Sequence, residues 1–228
     1  MKVDVIILTK TVDQHQFLLT SNAIISLINS ESDHEFNIII MESADIDKRK
    51  NMEYVFPNTH YIEPKTPFNY NAYLNIGLSY CKNDYVVFSN NDLIFDHHWF
   101  TNIYEGIVSH QLDVASPLSP SWWRHVNMPL GVIEGYENGI LFSPWCTVYS
   151  RKAIDLIAPL DERFAYWYQD DDIIQTIKAH GLKHALVSTS KVEHLGSQSA
   201  YLIGERISEF CLEPASIFNQ KWFSKPLS

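Results

Sequence analysis

The 228-residue sequence predicts an α/β fold: a mostly parallel twisted sheet flanked by helices within a single domain. Three observations carry that expectation. Hydrophobic residues make up 46% of the chain and charged residues 19%, enough apolar surface to offset chain entropy and form a core. Continuous apolar runs of strand length end abruptly in polar residues, as parallel strands covered on both faces do. Between the first two runs the apolar spacing turns helical, which is the order of a right-handed βαβ unit.

Residues 3–8 (VDVIIL) form the first run and are followed by the polar turn Thr9-Lys10-Thr11. Phe17, Leu18, Ile24, Ile25 and Ile28 then recur at helical spacing, up to Asn29-Ser30. Residues 36–41 (FNIIIM) predict a second buried strand closed by Glu42-Ser43, and 54–62 a weaker third ahead of the loop of Pro64 and Pro67. A helix over 71–80 leads to the strand Tyr85–Ser89, which runs straight into Asn90-Asn91-Asp92. Residues 96–109 read as the next helix and 113–116 as a short strand. Pro117, Pro120, Pro129 and nearby glycines mark 117–138 as a long irregular loop that carries Trp122-Trp123. Beyond it, 140–149 predicts a strand, Arg151–Ile157 a short helix and 170–180 a longer one stopped by Gly181. Residues 185–188 and 191–194 are short strand-like pieces, and the tail after Ser199 reads as helical, closing on Lys221-Trp222. The organisation expected is 1–116, 117–200 and a tail over 201–228.

Lys and Arg number 17 against 27 Asp and Glu, a net charge of −10. That balance excludes a general grip on nucleic-acid phosphates, and a phosphorylated ligand would need a metal to bridge like charges. Cys81, Cys146 and Cys211 lie far apart, which argues for a reducing compartment and against a disulfide framework or a zinc knuckle. No apolar window approaches about 18 residues and no signal peptide is present, so the expectation is a soluble, cytoplasmic protein without a transmembrane segment.

The sequence holds neither GxGxxG after the first strand nor GxxxxGK[ST], so a nucleotide would have to be held by strand-end side chains and a metal. Asn90-Asn91-Asp92 stands where a strand stops. The plain reading is a polar turn. The functional reading is a carboxylate at the C-terminal end of a strand, where α/β sheets bind ligands, ligating Mn²⁺ or Mg²⁺. Asp170-Asp171-Asp172 follow Gln169 and the aromatic patch of Phe164, Tyr166, Trp167 and Tyr168. One acid is expected to serve the positive end of the helix. Adjacent acids repel each other, and a catalytic base is a reason to tolerate that repulsion. His194 closes a strand-like piece, a place where histidine alone is commonly just hydrogen-bonded. Asp96-His97-His98 reads as an exposed helix start, with adjacent histidines facing different ways and poorly placed for one metal. Trp122-Trp123, with Arg124 and His125, suits either packing a lid or stacking on a sugar.

In this order, and over nearly the whole chain, these pieces resemble family-2-like glycosyltransferases of the GT-A (Rossmann-like) fold. VDVIILTKTVD and IIIMESADID resemble the family's first two strands, the second ending in an acidic nucleotide-contacting position. FNYNAYLNIGLSYCKNDYVVFSNNDLIF, including Asn75 and Gly77, resembles its helix, strand and DxD-type metal motif. YSRKAIDLIAPLDERFAYWYQDDDI resembles the segment ending in its ED-type catalytic motif, and KVEHLGSQS and Lys221-Trp222 match family habits. The resemblance implies a hexosyl- or pentosyltransferase moving a sugar from a nucleotide-diphosphate sugar, UDP preferred, to an acceptor hydroxyl, assisted by Mn²⁺ or Mg²⁺ and inverting. It places Asn75, Asn90 and Asn91 at the donor, Asp92 at the metal and Asp170 and Asp171 at the catalytic base, with His194 near the metal or the donor phosphate. Thr9 and Glu42, which end neighbouring strands, are expected near the base or ribose. The aromatics Trp122, Trp123 and Trp167 are read at the acceptor, the Trp122-Trp123 loop closing over the donor or stacking on the acceptor. Residues 1–116 would then be the donor half and 117–200 the acceptor half. Two features depart from the pattern: Asp92 is the single carboxylate of the metal motif, and Gln169 stands where Glu is usual. Because residues 170 and 171 differ by about 100° around a helix, one of the two faces the acceptor.

The acceptor implied is a glycan or another hydroxyl compound, a modified DNA base being disfavoured by the −10 charge. Two other classes remain as alternatives. A metal-dependent phosphohydrolase would want several metal carboxylates, and a non-catalytic sugar-binding module would need the aromatics but not the acids.

Overall fold

The structure, a computed structural model, describes residues 1–45, 52–196 and 207–224, the side chains of 207–211 excepted. Strand β1 (Lys2–Thr9) is buried along almost its whole length. Helix α1 (Gln14–Ser30) starts where the Asp13 carboxylate accepts the Gln16 N–H, and β2 (Glu35–Glu42) returns parallel to β1 with Thr9 opposite Glu42. Strand β3 (Thr59–Ile62) adds parallel to β2. It is shorter than the 54–62 expected, because Pro57 has no N–H to give a ladder and Asn58 turns left-handed at φ 52°. Helix α2 (Tyr70–Leu78), capped by Asn69, lies close on β1: a Cβ on Gly77 would stand 2.9 Å from Ile6 Cγ2. Strand β4 (Tyr85–Ser89) then pairs parallel with β1 on the other side.

The second half adds β5 (Leu93–Phe95), α3 (Trp99–His110), β6 (Val114–Leu118), β7 (Val132–Glu134), β8 (Cys146–Ser150), α4 (Arg151–Ile157), α5 (Gln169–Ala179), β9 (His184–His194) and α6 (Ile207–Trp222). The nine-stranded sheet runs β3-β2-β1-β4-β8-β6-β9-β5, with β7 also on β9. The four strands from β3 to β4 are parallel. Beyond β4 the sheet is mixed, since β8 runs antiparallel to both β4 and β6, β6 runs parallel to β9, and β5 and β7 run antiparallel to β9. One core lies between the sheet and the α1 and α3 face, around Ile7, Trp99 and Phe100, and the other under α2, α4 and α5, around Ile6, Phe88 and Tyr149. Residue 116, the expected organisational boundary, falls inside β6, so both halves share one sheet.

Several boundaries differ from expectation for local reasons. Helix α3 begins at Trp99 instead of residue 96, because His98 takes a left-handed φ of 60°. The strand expected over 140–149 is only Cys146–Ser150, since the Cys146 N–H turns back to the Ser143 carbonyl at 3.0 Å. The two pieces expected over 185–194 are one strand, β9. Residues 199–206 of the expected tail, and the end of KVEHLGSQS, lie outside the described residues. Cys81 and Cys146 are free and buried, and among the described residues no helix is long and apolar enough to cross a membrane.

At the N-terminal ends of the parallel strands, the Asp4 carboxylate is fully buried. It accepts the Lys82 and Asn83 N–H groups and both the Asn37 and Asn83 amides, each at 2.7 Å. At the start of β9, buried His184 donates from Nδ1 to the Gly135 carbonyl and takes the Ser116 hydroxyl at Nε2, 2.9 Å away. Burial lowers its pKa from 6.5 to about 4. The fold therefore holds the neutral ring, whereas the unfolded chain takes up a proton below pH 6.5. Stability present above that pH is lost as the pH falls towards 4. Urea titrations at pH 7 and pH 5 should differ by about 2 kcal/mol from this residue, and a His184→Gln variant should show a correspondingly shallower dependence.

Candidate active site

The C-terminal ends of β1, β2 and β4 carry a polar group of side chains. Thr9 is buried, with its hydroxyl 2.9 Å from Thr20 Oγ1, and the Asn91 amide reaches Thr20 Oγ1 at 3.0 Å and Thr9 Oγ1 at 3.3 Å. Asn91 therefore ties the end of β4 to α1. Glu42 is buried at the end of β2. Its Oε1 accepts the Thr11 N–H at 3.0 Å and the Ala44 N–H at 2.7 Å, while its Oε2 is buried with no hydrogen-bond partner. Beside it, Tyr54 bonds Thr11 at 2.6 Å and stacks on Phe17 at 5.1 Å, giving an aromatic wall next to an unsatisfied carboxylate oxygen.

Asn90 closes the β4 ladder by donating its N–H to the Trp145 carbonyl at 2.8 Å, and its side chain is half-buried. Asp92 is 5% exposed, and its Oδ1 makes no hydrogen bond. From the end of β9, His194 Nε2 comes within 3.4 Å of that oxygen. The His194 ring stacks flat on Trp145, centroids 4.8 Å apart at 9°, and its Nδ1 is also buried without a partner. The buried Asp92 Oδ1, which has no hydrogen bond, and the His194 Nε2 that faces it are suited to share a cation. Among the described residues no cluster of three or more His, Cys, Asp or Glu side chains gathers around a point, so further ligands would come from substrate and water.

Helix α5 opens at Tyr168, in a left-handed turn at φ 65°, and presents the three acids in its first turn. They have separate surroundings. Asp170 is packed so that desolvation, followed by the charge of Asp171, raises its pKa to about 7. Burial above all, with a smaller push from Asp170, raises the phenols of Tyr70 and Tyr149. Asp171 accepts the Asn138 amide at 3.1 Å. Asp172 is 3% exposed and accepts Trp222 Nε1 at 2.7 Å and Lys221 Nζ at 2.9 Å. Trp167 is half-buried, and its indole N–H is buried with no partner.

Two expectations change here. Asn75 is taken up by partners within the protein: it exchanges bonds with the Leu160 backbone (2.8 and 2.9 Å) and donates to Glu162 at 3.0 Å, so it holds the 160–162 loop in place of the expected donor contact. Trp122 is anchored, its Nε1 donating to the Gly139 carbonyl at 2.7 Å and its ring meeting Trp145 at 5.3 Å. Next to it His125 accepts the Ser119 N–H and donates to the Ile140 carbonyl, and burial lowers its pKa from 6.5. Of the two adjacent tryptophans it is Trp123 that is open to solvent, 68% exposed under the Arg124 guanidinium at 4.8 Å. Trp145, Tyr54 and Asn138 were missed because their neighbours are remote in sequence and nothing local marks them.

Residues 17–157, more than half of the chain, match the profile of Glycosyl transferase family 2, a span that ends before α5. No curated protein matches the chain in sequence. TarS of S. aureus (residues 1–349) shares the fold with a TM-score of 0.61 at 16% identity, covering 84% of this chain and 59% of that one. GalNAc-T7, solved with UDP, GalNAc and Mn²⁺, shares it with a TM-score of 0.68 at 12% identity, covering 85% of this chain and 43% of that one. The chain thus spans less than two thirds of either structure, and the likeness establishes a GT-A fold.

The two tryptophans should separate in stability measurements. Trp122→Phe loses the bond to Gly139 and should cost about 1 kcal/mol in urea unfolding, whereas Trp123→Ala should stay within about 0.5 kcal/mol of wild type.

Proposed function

The chain belongs to glycosyl transferase family 2, and on that premise we propose that it moves a sugar from a nucleotide-diphosphate sugar, UDP preferred, to an acceptor hydroxyl with inversion. The observation that carries the reading is the opposition of Asp92 Oδ1, buried and without a hydrogen bond, and His194 Nε2, 3.4 Å away at a strand end, where a diphosphate would need a cation in an acidic chain. Asp92 and His194 would hold Mn²⁺ or Mg²⁺. The imidazole donor favours Mn²⁺, the ion bound in GalNAc-T7 together with UDP. When bound, the ion supplies positive charge to a leaving diphosphate.

The chain's own residues supply the rest. Glu42 Oε2 is an acceptor in need of a donor, which an N–H of the base or a ribose hydroxyl would provide beside Tyr54. Thr9, Asn90 and Asn91 form the floor under that ligand. Asp170 takes the proton of the acceptor hydroxyl as its oxygen bonds to the anomeric carbon and the diphosphate departs from the opposite face, giving inversion. Asp171 is engaged by Asn138 and Asp172 by α6, which favours Asp170 as the base. Trp123, with Trp167, would stack on the acceptor's apolar sugar face. A glycan is the acceptor class this surface suits, and a modified DNA base finds no support. Residues 1–116 would serve the donor and 117–200 the acceptor, in a protein placed in the cytoplasm.

A thermal-shift screen of UDP-, GDP- and TDP-sugars, with Mn²⁺ or with chelator, tests the donor. A saturating ligand at about 100 Kd adds about 2.7 kcal/mol, and the expected result is stabilisation by UDP-sugars in Mn²⁺ that Asp92→Ala abolishes. Unchanged metal-dependent binding in Asp92→Ala removes that residue from the site. For the base, Asp170→Asn should retain donor binding and lose roughly 10²-fold or more in transfer. Because the base must be ionised and burial raises it to about 7, wild-type rate should fall as the pH drops through 7, and the variant's residual rate should not. Loss on Asp171→Asn with retention on Asp170→Asn would move the base one residue on.

A further inference from the structure

Helix α6 is attached to the short stretch of chain that delivers the acids of α5. Lys221 Nζ lies 2.9 Å from Asp161 Oδ2 and 2.8 Å from Asp172 Oδ1, and Trp222 Nε1 donates to Asp172 at 2.7 Å. Phe218 is 8% exposed and packs against Tyr168, centroids 5.2 Å apart, and Phe164 at 6.4 Å. Tyr168 holds the left-handed conformation that opens α5 two residues before Asp170. A bulky aromatic in that region is strained, and such a conformation persists only where its surroundings over-determine it. The surroundings here are the Phe218 ring on one side and the Asp172 N–H, which bonds the Tyr168 carbonyl at 2.9 Å. The far end of the stretch is fixed to α2, where the Asn71 amide donates to the Asp161 carbonyl at 2.8 Å and the Asn69 amide to that of Glu162 at 2.7 Å.

We propose that α6 is a positioning element for transfer, with Lys221 and Trp222 gripping Asp172 and Phe218 backing Tyr168, so that the first turn of α5 holds Asp170 in register. The inference rests on the reading of Asp170 as the base. Lys221 and Trp222 touch neither substrate nor reacting atoms in this account; they act through Asp172. A helix that only sealed the core would not need an ammonium and an indole N–H on one buried carboxylate in the same turn as the base.

The test uses the full chain as wild type, Trp222→Phe, Lys221→Met and Lys221→Arg, with UDP-sugars and Mn²⁺ as probes and donor hydrolysis by water as the assay where no acceptor is in hand. Trp222→Phe keeps a ring and removes only the N–H. In Trp222→Phe and Lys221→Met, kcat should fall about tenfold or more with the KM for donor within twofold. Amide exchange in 165–173 should accelerate about tenfold, with β1 and β2 unaffected, and Lys221→Arg should recover most of both. Unchanged exchange in 165–173 overturns the grip, and faster exchange with wild-type kcat overturns its role in transfer. A wild type that turns over no UDP-sugar refutes the function proposed above and the positioning role with it, an outcome distinct from a wild type that works and variants that work equally well.

Discussion

The antiparallel seam between β4 and β8 is the constraint on which the rest depends. Parallel strands alone would leave the end of β4 as an open edge. With β8 beside it, the Asn90 N–H is tied to the Trp145 carbonyl, and the residue that follows the β4 turn is fixed against the residue that precedes β8. Trp145 thereby becomes a platform, His194 lies flat on it, and Asp92 is brought opposite the imidazole. The platform's ring also meets Trp122 and His125. A single backbone register thus sets the Asp92–His194 pair and the base of the tryptophan loop together.

Burial determines which polar groups around that seam remain available to a ligand. Thr9, Thr20 and Asn91 satisfy one another, and the Asp4 carboxylate at the opposite end of the strands is fully saturated by donors. Buried oxygens without donors are costly, yet Glu42 Oε2 and Asp92 Oδ1 are such atoms, and both stand at the C-terminal ends of the strands. The acids of α5 divide in the same way: two are engaged by side chains from elsewhere, and one is desolvated.

The sequence made legible whatever was encoded within a few neighbouring residues. Strands β1, β2 and β4 and helix α4 are apolar runs or short periodic segments with clear ends, and Tyr85–Ser89 and Arg151–Ile157 have the bounds expected of them. Strand β5 was not legible, since three residues with Ile94 exposed make no pattern and their partner, β9, lies far along the chain. The same limit governs the site. Asp92 and His194 could be singled out as residue types at strand ends. Nothing local in an Asn on a helix shows that Asn75 bonds Leu160, or that Asp172 answers to Lys221 and Trp222 some fifty residues on.

The shared sheet has a consequence for engineering. Strand β8 lies between β4 and β6, so the chain offers no seam at which a substrate-recognition module could be exchanged whole. Any cut at residue 116 would divide β6 and strip β8 and β9 of a partner. The exchangeable unit is smaller: the stretch between β6 and β7, hung on the Trp122 and His125 bonds to Gly139 and Ile140. Those two residues would act as hooks, and the exposed positions between and beyond them, Trp123, Val126 and Leu130 among them, are free to vary without touching the core. Variation of the surface that this chain displays there would therefore proceed by rewriting a short hooked loop, in the manner of a hypervariable segment on an invariant frame.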